Sequence, residues 1–301
     1  MELRHLRYFI AVAEEGSLTL AAEKRLHTAQ PSLSRQIRDL ERDVGAKLLI
    51  RRARGIELTE AGQVFLDHAR LCLAQVEAAG DAARRATQSD RPAFVLGMLT
   101  GYEMEWLPAA LRILRDELPN IEVTLASQSS PELAGALLRG KVDVAFLRRE
   151  QAPGLVYRLL DRQPIVAVLP RGHRLAEHKT IRLADMAGET YISPTKAAPV
   201  LKVLLAKHAA SNGVRLTAAH EAENLTMAIS LVVSTGGVSL LPLYAQNLLP
   251  PSVVWRPLEK APAIDLVMGY SRSNTSALLK RFIARADEMI ARARPARQAA
   301  S

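Results

Sequence analysis

The sequence predicts an α/β fold that follows a smaller helical part carrying a β-hairpin. Up to residue 44, apolar residues recur at the three- and four-residue spacing of packed helices. Residues 47–59 hold two short apolar runs around a basic segment with a glycine, which is typical of a hairpin. From residue 93 onward, short apolar runs alternate with amphipathic stretches, the pattern of strands joined by helices. We therefore expect an all-α, winged part and then an α/β part.

Composition and charge favour a folded protein with an anionic partner. The chain has 301 residues, of which 49% are hydrophobic, enough for two or more domains with full cores. The net charge is +9, with nine Lys/Arg against four Asp/Glu between residues 22 and 54. A second excess, seven against two, lies between residues 271 and 301. The positive field is therefore local, and its first centre is the helical part.

The expected compartment is the cytoplasm. A single cysteine, Cys72, excludes an internal disulfide and fits a reducing environment. Residues 1–18 carry early charges and no long apolar core, so we expect no signal peptide. The uncharged run from residue 224 to 255 contains glycines, prolines and polar residues. It fits a helix, a turn and a buried strand better than a membrane span.

Two short helices are predicted first. One covers about residues 4–14 and ends at Gly16, after which Ser17 can cap the next helix. The second contains the pair Ala21 and Ala22, which is small enough to let another helix pack closely.

A third helix, beginning near Gln30, has one apolar and one polar side. Leu33, Ile37 and Leu40 follow at i, i+4 and i+7 and bury one side. The polar side presents side chains of the kind with which a recognition helix contacts bases in a major groove. Ser32 and Ser34 can also hydrogen-bond to phosphate. The residues expected to contact DNA here are Gln30, Pro31, Ser32, Ser34, Arg35 and Arg38. The alternative interpretation is a solvated helix face.

The hairpin after residue 47 is predicted to form a basic wing. Arg54 lies at its tip, where a guanidinium can enter a narrow minor groove or hold a phosphate. Together with the third helix, this predicts a DNA-binding domain over residues 1–59.

A long helix is predicted from Thr59 to about Ser89. About 30 residues make a helix of roughly 45 Å, too long for a small domain to cover, so residues 60–90 are interpreted as a dimerising linker. The alternative is an amphipathic helix packed on its own domain. The proposed contact stripe consists of Phe65, Cys72, Val76, Ala79 and Ala83.

Residues 91–301 are predicted to form two α/β lobes with a cleft between them. Lobe I takes about residues 91–162 and 268–301, and lobe II about residues 163–267. The predicted strands cover 94–99, 121–125, 142–146, 165–169, 190–193, 216–218, 238–242 and 264–270. The predicted helices cover 106–118, 130–140, 200–211, 225–233 and 277–293. Ligands of such folds bind at the carboxyl ends of strands, near helix N-termini.

Most of the chain resembles the LysR-type transcriptional regulators. The residues that carry the resemblance stand in family order, and they are Met1-Glu2-Leu3-Arg4-His5-Leu6-Arg7-Tyr8-Phe9, Ala21-Ala22, Gln30-Pro31-Ser32-Leu33-Ser34, Ile37, Leu40, Glu41, Gly45, Leu48-Leu49, Arg51 and Leu58-Thr59 with Gly62. The resemblance implies a winged helix-turn-helix, a linker helix and a two-lobed effector domain similar to periplasmic binding proteins. It also implies promoter DNA, a small-molecule effector and RNA polymerase as partners, and a homotetramer built from linker-helix dimers.

One departure from the family pattern lies between the second and third helices. Leu26 and Gln30 each stand one residue later than the family places them after Ala22, as though Arg25 or a neighbour were inserted. We expect the turn between these two helices to absorb the extra residue.

The resemblance also assigns residues to the two sites. Gln30, Pro31, Ser34 and Arg35 match groove and backbone contacts, and Arg54 matches the wing contact. The matching effector-site residues are Thr100, Gly101, Ser129, Ser130, Phe146, Arg148, Pro194 and Thr195. Hydroxyls beside helix N-termini and a nearby arginine suit a carboxylate, and weaker similarities point to regulators that sense aromatic acids. In the alternative interpretation the hydroxyls only cap helices and Arg148 points to solvent. Glu103 and Glu105, close by in sequence, fit poorly with a simple anion site.

Two other classes of protein are alternatives to a regulator. An enzyme has no support, because the seven histidines are scattered and no phosphate loop or catalytic triad pattern is visible. We therefore expect no catalytic residues, no metal and no cofactor. A ligand carrier with the same two lobes, without a regulatory role, is allowed by residues 91–301 but opposed by residues 1–60.

Overall fold

The structure is a computed structural model that describes residues 1–52, 55–88, 93–117 and 120–293. The chain divides into two compact units, Met1–Arg84 and Arg85–Ser301. The predicted domain and lobe boundaries stay predictions.

The first unit opens with the two predicted helices. Helix α1 spans Leu3–Glu15 and ends at Gly16, whose φ of +62° is a left-handed conformation that glycine adopts without strain. Helix α2 spans Leu18–Leu20, and the Ser17 hydroxyl accepts a hydrogen bond from the Leu20 N–H at 3.3 Å. The predicted helix end and cap are both confirmed.

Residues Ala21–Leu26 continue α2 as a π-helix. A π turn closes its hydrogen bonds one residue further along the chain than an α turn, so it takes up one extra residue. The expectation that the following turn absorbs the extra residue near Arg25 is therefore wrong. Ala21 and Ala22 within it are fully buried, so close packing on neighbouring helices fixes this segment while its polar residues face outward.

Helix α3 spans Gln30–Val44 and has Pro31 in its first turn. Strands β1, Leu49–Arg52, and β2, Gly55–Leu58, pair antiparallel as the predicted hairpin. The core beneath these elements contains the buried side chains Phe9, Val12, Ala21, Ala22, Leu33, Leu40 and Leu48. Arg54 lies outside the described residues, so its predicted contact with DNA stays a prediction.

Helix α4 spans Glu60–Gln88, and the Thr59 hydroxyl caps it by accepting from the Gly62 N–H at 2.8 Å. Phe65 does not belong to an outward stripe, because its ring packs edge-on against Phe9 with centroids 5.2 Å apart. This contact holds the start of α4 to the helical core. Four members of the proposed stripe are exposed, and they are Cys72, Val76, Ala79 and Ala83.

The second unit is a mixed sheet flanked by helices. Its strands are β3 Ala93–Leu99, β4 Glu122–Gln128, β5 Val144–Leu147, β6 Leu155–Pro170, β7 Tyr191–Pro194, β8 Ala218–Ala222, β9 Val238–Pro242, β10 Val253–Pro257 and β11 Ala263–Ser271. Its α-helices are α5 Glu103–Glu117, α6 Ser130–Leu138, α7 Pro199–Ser211, α8 Leu225–Thr235, α9 Ala277–Ala284 and α10 Ala286–Ala293. The strand order is β4-β3-β5-β11-β6-β9-β7-β8, with β10 also paired to β6.

The long strand β6 joins two halves of this sheet. Its first part pairs antiparallel with β11, next to the parallel strands β3, β4 and β5. Its second part pairs with β9 and β10, next to β7 and β8. The sequence predicted only residues 165–169 here, because the earlier half of β6 carries Arg158, Asp161 and Arg162 and lacks a continuous apolar run.

The final predicted helix is interrupted. Helix α9 ends at Ala284 and α10 begins at Ala286, with Arg285 between them. Among the residues that the structure describes, no helix is both long and apolar enough to cross a membrane.

Candidate functional site

The polar side of α3 presents most of the predicted DNA-contacting residues. Pro31, Ser32, Arg35 and Arg38 are exposed and Gln30 is half-buried. Ser34 is different, with only 7% of its surface exposed. The expectation that Ser34 lies on the exposed polar side is wrong, because Ser34 is buried and the Arg51 side chain of the hairpin is bonded to its hydroxyl.

Ser34 contacts the hairpin through a side-chain hydrogen bond. Its hydroxyl accepts from Arg51 Nη2 at 2.8 Å, and the remaining Arg51 side chain is exposed. Its neighbour Arg52 instead pairs with Glu57 across the hairpin at 3.0 Å. Sequence reasoning missed Arg51 as a candidate, although its place in the basic run at the wing was a signal.

The end of α3 is anchored by Glu41. Its carboxylate accepts from the backbone N–H groups of Leu48 and Leu49 at 2.9 and 3.2 Å and from Lys47 Nζ at 2.8 Å. Burial alone would raise the pKa of Glu41, but these hydrogen bonds hold that pKa below its usual value. The carboxylate therefore fixes the hairpin to the recognition helix.

A cavity of about 430 Å³ lies in the second unit. It is bounded by the ends of β3 and β4, the start of α6, the segment after β5, and the residues around β7, α8 and β9. Of the predicted effector residues, Thr100, Ser129, Arg148 and Pro194 line it. Lining residues that sequence reasoning missed include Ser127, Glu132, Asn224, Ser239 and Tyr244.

The other four predicted residues shape the walls from behind. Gly101 has a φ of +98°, and a Cβ there would lie 3.0 Å from the Tyr244 ring. The Ser130 hydroxyl accepts from the Arg148 N–H at 3.0 Å. Phe146 packs edge-on against Trp106 with centroids 5.9 Å apart. The Thr195 hydroxyl accepts from the Ala197 N–H at 3.1 Å and shapes the turn before α7.

Arg148 is the buried cation of this cavity. Only 3% of the residue is exposed, and its Nη2 donates to the Tyr244 hydroxyl at 3.5 Å. Its Nη1 is buried and has no hydrogen-bond partner among the described residues. The alternative in which Arg148 points to solvent is therefore wrong. A guanidinium buried without a full set of acceptors is costly, and an anion in the cavity would complete it.

Tyr244 forms the wall beside Arg148. Its ring lies against that of Tyr102, with centroids 3.8 Å apart. Burial raises the pKa of Tyr244, so its hydroxyl stays protonated at neutral pH. The signal for Tyr244 was weak, because a tyrosine after a buried strand is also common in cores.

The serine and threonine hydroxyls of the cavity are tied to the protein. The Ser127 hydroxyl donates to Glu103, and the Ser127 and Thr100 oxygens lie 3.1 Å apart. The Ser129 hydroxyl donates to Glu132 at 2.6 Å, and these two hydrogen bonds account for two of the acidic residues near the site. The Ser239 hydroxyl donates to the Ile192 carbonyl at 2.9 Å.

A second depression, of about 650 Å³, lies beside β10. It is shallower and holds none of the predicted effector residues; its lining includes Arg171, Lys179, Trp255 and Arg256. None of the described residues that line this depression has a buried polar atom without a hydrogen-bond partner, as Arg148 has, so the smaller cavity is the better candidate for a ligand.

Two family models match this chain. Residues 3–63 match the bacterial regulatory helix-turn-helix protein of the lysR family, and residues 87–291 match the LysR substrate-binding domain. The chain belongs to the LysR family of transcription regulators. The matched ranges contain α3 with its hairpin and the cavity around Arg148, respectively.

Similar proteins agree with this assignment over nearly the full length. The Hca operon transcriptional activator HcaR of Escherichia coli K12 is 37% identical over 298 residues, 97% of this chain and 99% of HcaR. The structure of full-length BenM has a TM-score of 0.59 at 28% identity and covers 97% of each chain. Full-length CbnR in complex with its target DNA has a TM-score of 0.56 at 28% identity, covering 96% of this chain and 100% of CbnR.

This LysR-family protein is therefore a DNA-binding transcription regulator with a two-lobed α/β effector-binding domain. It binds promoter DNA through the N-terminal helix-turn-helix and a small molecule through the C-terminal domain.

Proposed function

We propose that the effector of this regulator is an organic carboxylate, most simply an aromatic one, bound by Arg148. The observation that carries the proposal is the buried Arg148 Nη1, which has no partner among the described residues and belongs to a cavity-lining side chain. A carboxylate accepts two hydrogen bonds from a guanidinium and neutralises its charge.

The remaining lining suits a ring. Leu99, Leu201, Leu225 and Leu241 contribute apolar wall, with Tyr244 beside the arginine. A cavity of about 430 Å³ is at the small end of ligand sites, which fits a single-ring acid with a short side chain.

The test is calorimetric titration of the full chain with benzoate and 3-phenylpropanoate, each compared with its neutral amide. Arg148→Gln should weaken binding of the acids by about 10- to 100-fold, because a hydrogen bond to a charged group is lost. Arg149→Gln is the matched control, since Arg149 is exposed and its guanidinium lies over the Tyr157 ring. Equal binding of acids and amides, or undiminished binding to Arg148→Gln, would contradict the proposal.

We propose that Gln30, Pro31, Ser32, Arg35 and Arg38 contact DNA from α3, with Arg54 reaching it from the wing. Exposure of the α3 residues on one helix side supports this proposal. Ser34 is proposed to act through Arg51 rather than by direct contact, because its hydroxyl is already engaged by that side chain.

The proposed oligomeric state and compartment follow from the role as a transcription regulator. The exposed part of the α4 stripe supports a dimer through the linker helices, and a tetramer and contact with RNA polymerase are proposed by family analogy. A regulator of promoters works where the DNA is, which supports the cytoplasm. We propose no catalytic activity, because the relatives named above are transcription regulators.

A further inference from the structure

We infer that the effector carries, besides its carboxylate, a hydrogen-bond donor such as a hydroxyl group. The inference rests on the proposed carboxylate site and concerns four hydroxyls in the cavity lining, Thr100, Ser127, Ser129 and Ser239, here called the hydroxyl set. A serine or threonine hydroxyl has one hydrogen and two lone pairs. Where that hydrogen goes decides whether the hydroxyl offers a ligand a donor or an acceptor.

At the edge of the cavity, Glu103 fixes which way the Ser127 and Thr100 hydroxyls donate their hydrogens. A carboxylate only accepts, so the hydrogen bond between Ser127 and Glu103 uses the serine's hydrogen. The contact of 3.1 Å between Ser127 and Thr100 must then use the hydrogen of Thr100. Glu103 is itself held by the Gly101 N–H at 2.7 Å, which keeps the carboxylate in place. The hydrogens of Thr100 and Ser127 are therefore used within the protein, and only lone pairs are left for a ligand.

The other two hydroxyls follow the same rule. The hydrogen of Ser129 goes to Glu132, which also accepts the Ser129 N–H at 2.9 Å and whose pKa is lowered chiefly by the Ser129 hydroxyl. The hydrogen of Ser239 goes to the carbonyl of Ile192 at 2.9 Å, and Ser239 is only 1% exposed. The whole hydroxyl set thus offers acceptors.

The donors are on another part of the lining. Arg148 has the free Nη1, and Tyr244 accepts from Arg148 Nη2, which leaves the tyrosine's own hydrogen for a ligand. A carboxylate fits these two groups, whereas it would be repelled by Glu103 and Glu132, which are hydrogen-bonded to the hydroxyl set. An effector with only a carboxylate would cover acceptors that it cannot pair, which is costly once solvent is displaced.

This division of the lining defines the ligand class as a carboxylic acid with a separate hydroxyl or similar N–H or O–H donor. It also gives Glu103 and Glu132 a role beside an anion site. Glu103 and Glu132 orient hydroxyls and do not meet the carboxylate itself.

The experiment is calorimetric titration of the full chain with matched acids. The probes are 3- and 4-hydroxybenzoate and 3-(4-hydroxyphenyl)propanoate, each against its fluoro analogue, which has similar size and no donor. At least one hydroxy acid should bind about tenfold more tightly than its fluoro analogue, the ratio expected for one added hydrogen bond in a buried site.

Glu103→Gln tests the cause of the preference. The glutamine oxygen can keep the Gly101 N–H, and its NH₂ would then donate to Ser127 and release that serine's hydrogen toward the ligand. The hydroxy-over-fluoro ratio should fall in this variant for an acid whose hydroxyl donates to Thr100 or Ser127, while binding of the fluoro acid persists. Glu259→Gln makes the same charge change at an exposed position outside the lining and should keep the ratio.

The outcomes separate the two proposals. Acids that bind with equal affinity with and without the hydroxyl would overturn this inference and leave the carboxylate site standing. A hydroxy preference unchanged in Glu103→Gln would overturn the assignment of the ligand's donor to Thr100 and Ser127, the two hydroxyls that Glu103 orients. Failure of the wild-type chain to bind any of the acids would overturn both.

Discussion

Arg70 of the linker helix donates a hydrogen bond of 2.6 Å to Glu14 of α1, 56 residues earlier in the chain. The same carboxylate pairs with Arg25 of the π turn, which also lies 3.6 Å from Glu15. Glu14 therefore joins the first helix, the segment holding the extra residue and the linker helix. The hydrogen bonds from Arg25 and then Arg70 lower the pKa of Glu14.

Glu14→Gln should destabilise the N-terminal unit modestly. Two charge-assisted hydrogen bonds are weakened, but Glu14 is one-third exposed and solvent screens the pairs, so we expect a loss of about 1 kcal/mol. Thermal unfolding followed by circular dichroism measures the effect. Glu23→Gln on the exposed surface of the π turn is the control, and an equal loss in both variants would contradict a special role for Glu14.

Glu41→Gln should lower the free energy of unfolding more than Glu14→Gln does. It should also make the free energy of unfolding less dependent on pH in the acidic range. The pKa of Glu41 is lower in the folded state than its usual value of 4.5, so its stabilisation is present above that pH and is lost as pH falls through the folded pKa. At neutral pH the loss of its charge should cost about 2 kcal/mol, because the carboxylate is buried and accepts three hydrogen bonds.

Urea unfolding between pH 7 and pH 3 tests the Glu41 prediction. The wild-type unit should lose stability below pH 4.5, and the Glu41→Gln variant should lose less over the same range. Glu57→Gln, an exposed residue paired with Arg52, is the control. Parallel pH curves for wild type and Glu41→Gln would show that Glu41 does not contribute to this pH dependence.

The sequence was sufficient for most elements because apolar periodicity and caps are local signals. Gly16 and Ser17 stand where a helix must end and another begin, and both act as predicted. Tertiary contacts account for the failures. Phe65 matched a linker stripe by spacing, but its ring packs on Phe9, and no local pattern encodes that contact.

The proposed effector cavity also combines residues that local motifs identify with residues that only tertiary contacts identify. Residues adjacent to strand ends, such as Thr100 and Arg148, could be placed by motif, whereas Tyr244 joins Arg148 from 96 residues further along the chain. The direction of each hydroxyl depends on a partner such as Glu103, which only the folded arrangement identifies. The sequence had placed Glu103 near the site without giving it a role.

Arg51→Ala and Ser34→Ala should weaken promoter binding through one shared interaction. Loss of a guanidinium that contacts DNA costs about 1–3 kcal/mol, and Ser34→Ala should cost part of this because it removes the group that orients Arg51. In the double variant, Ser34→Ala should add little to Arg51→Ala.

Gel-shift titrations against one promoter fragment, at a fixed salt concentration, measure this coupling. The proteins compared are the wild type, the two single variants and the double variant. Arg35→Ala should also cost about 1–3 kcal/mol if Arg35 reads a base, whereas Arg42→Ala, an exposed residue paired with Asp39 at 2.7 Å, should cost little. Fully additive losses for Ser34 and Arg51 would mean that Ser34 contacts DNA independently.

Val76→Asp should dissociate the proposed linker dimer. Val76 is 40% exposed in the middle of α4, between Cys72 and Ala79 on the same helix side, and a buried aspartate pair at a dimer seam would be strongly unfavourable. Phe65→Asp would be a poor test, because it would also damage the core of the N-terminal unit. Light scattering at several protein concentrations should show the mass falling to smaller species.

Val64→Asp is the matched control for Val76→Asp. Val64 lies on the same helix and is 58% exposed, but it faces about a quarter turn away from the stripe, at 100° per residue. It adds the same charge to α4 without entering the proposed seam, so its mass should equal that of the wild type. An unchanged mass for Val76→Asp would exclude this side of α4 as the dimer contact, whereas a fall in both variants would show that added charge anywhere on α4 disrupts assembly.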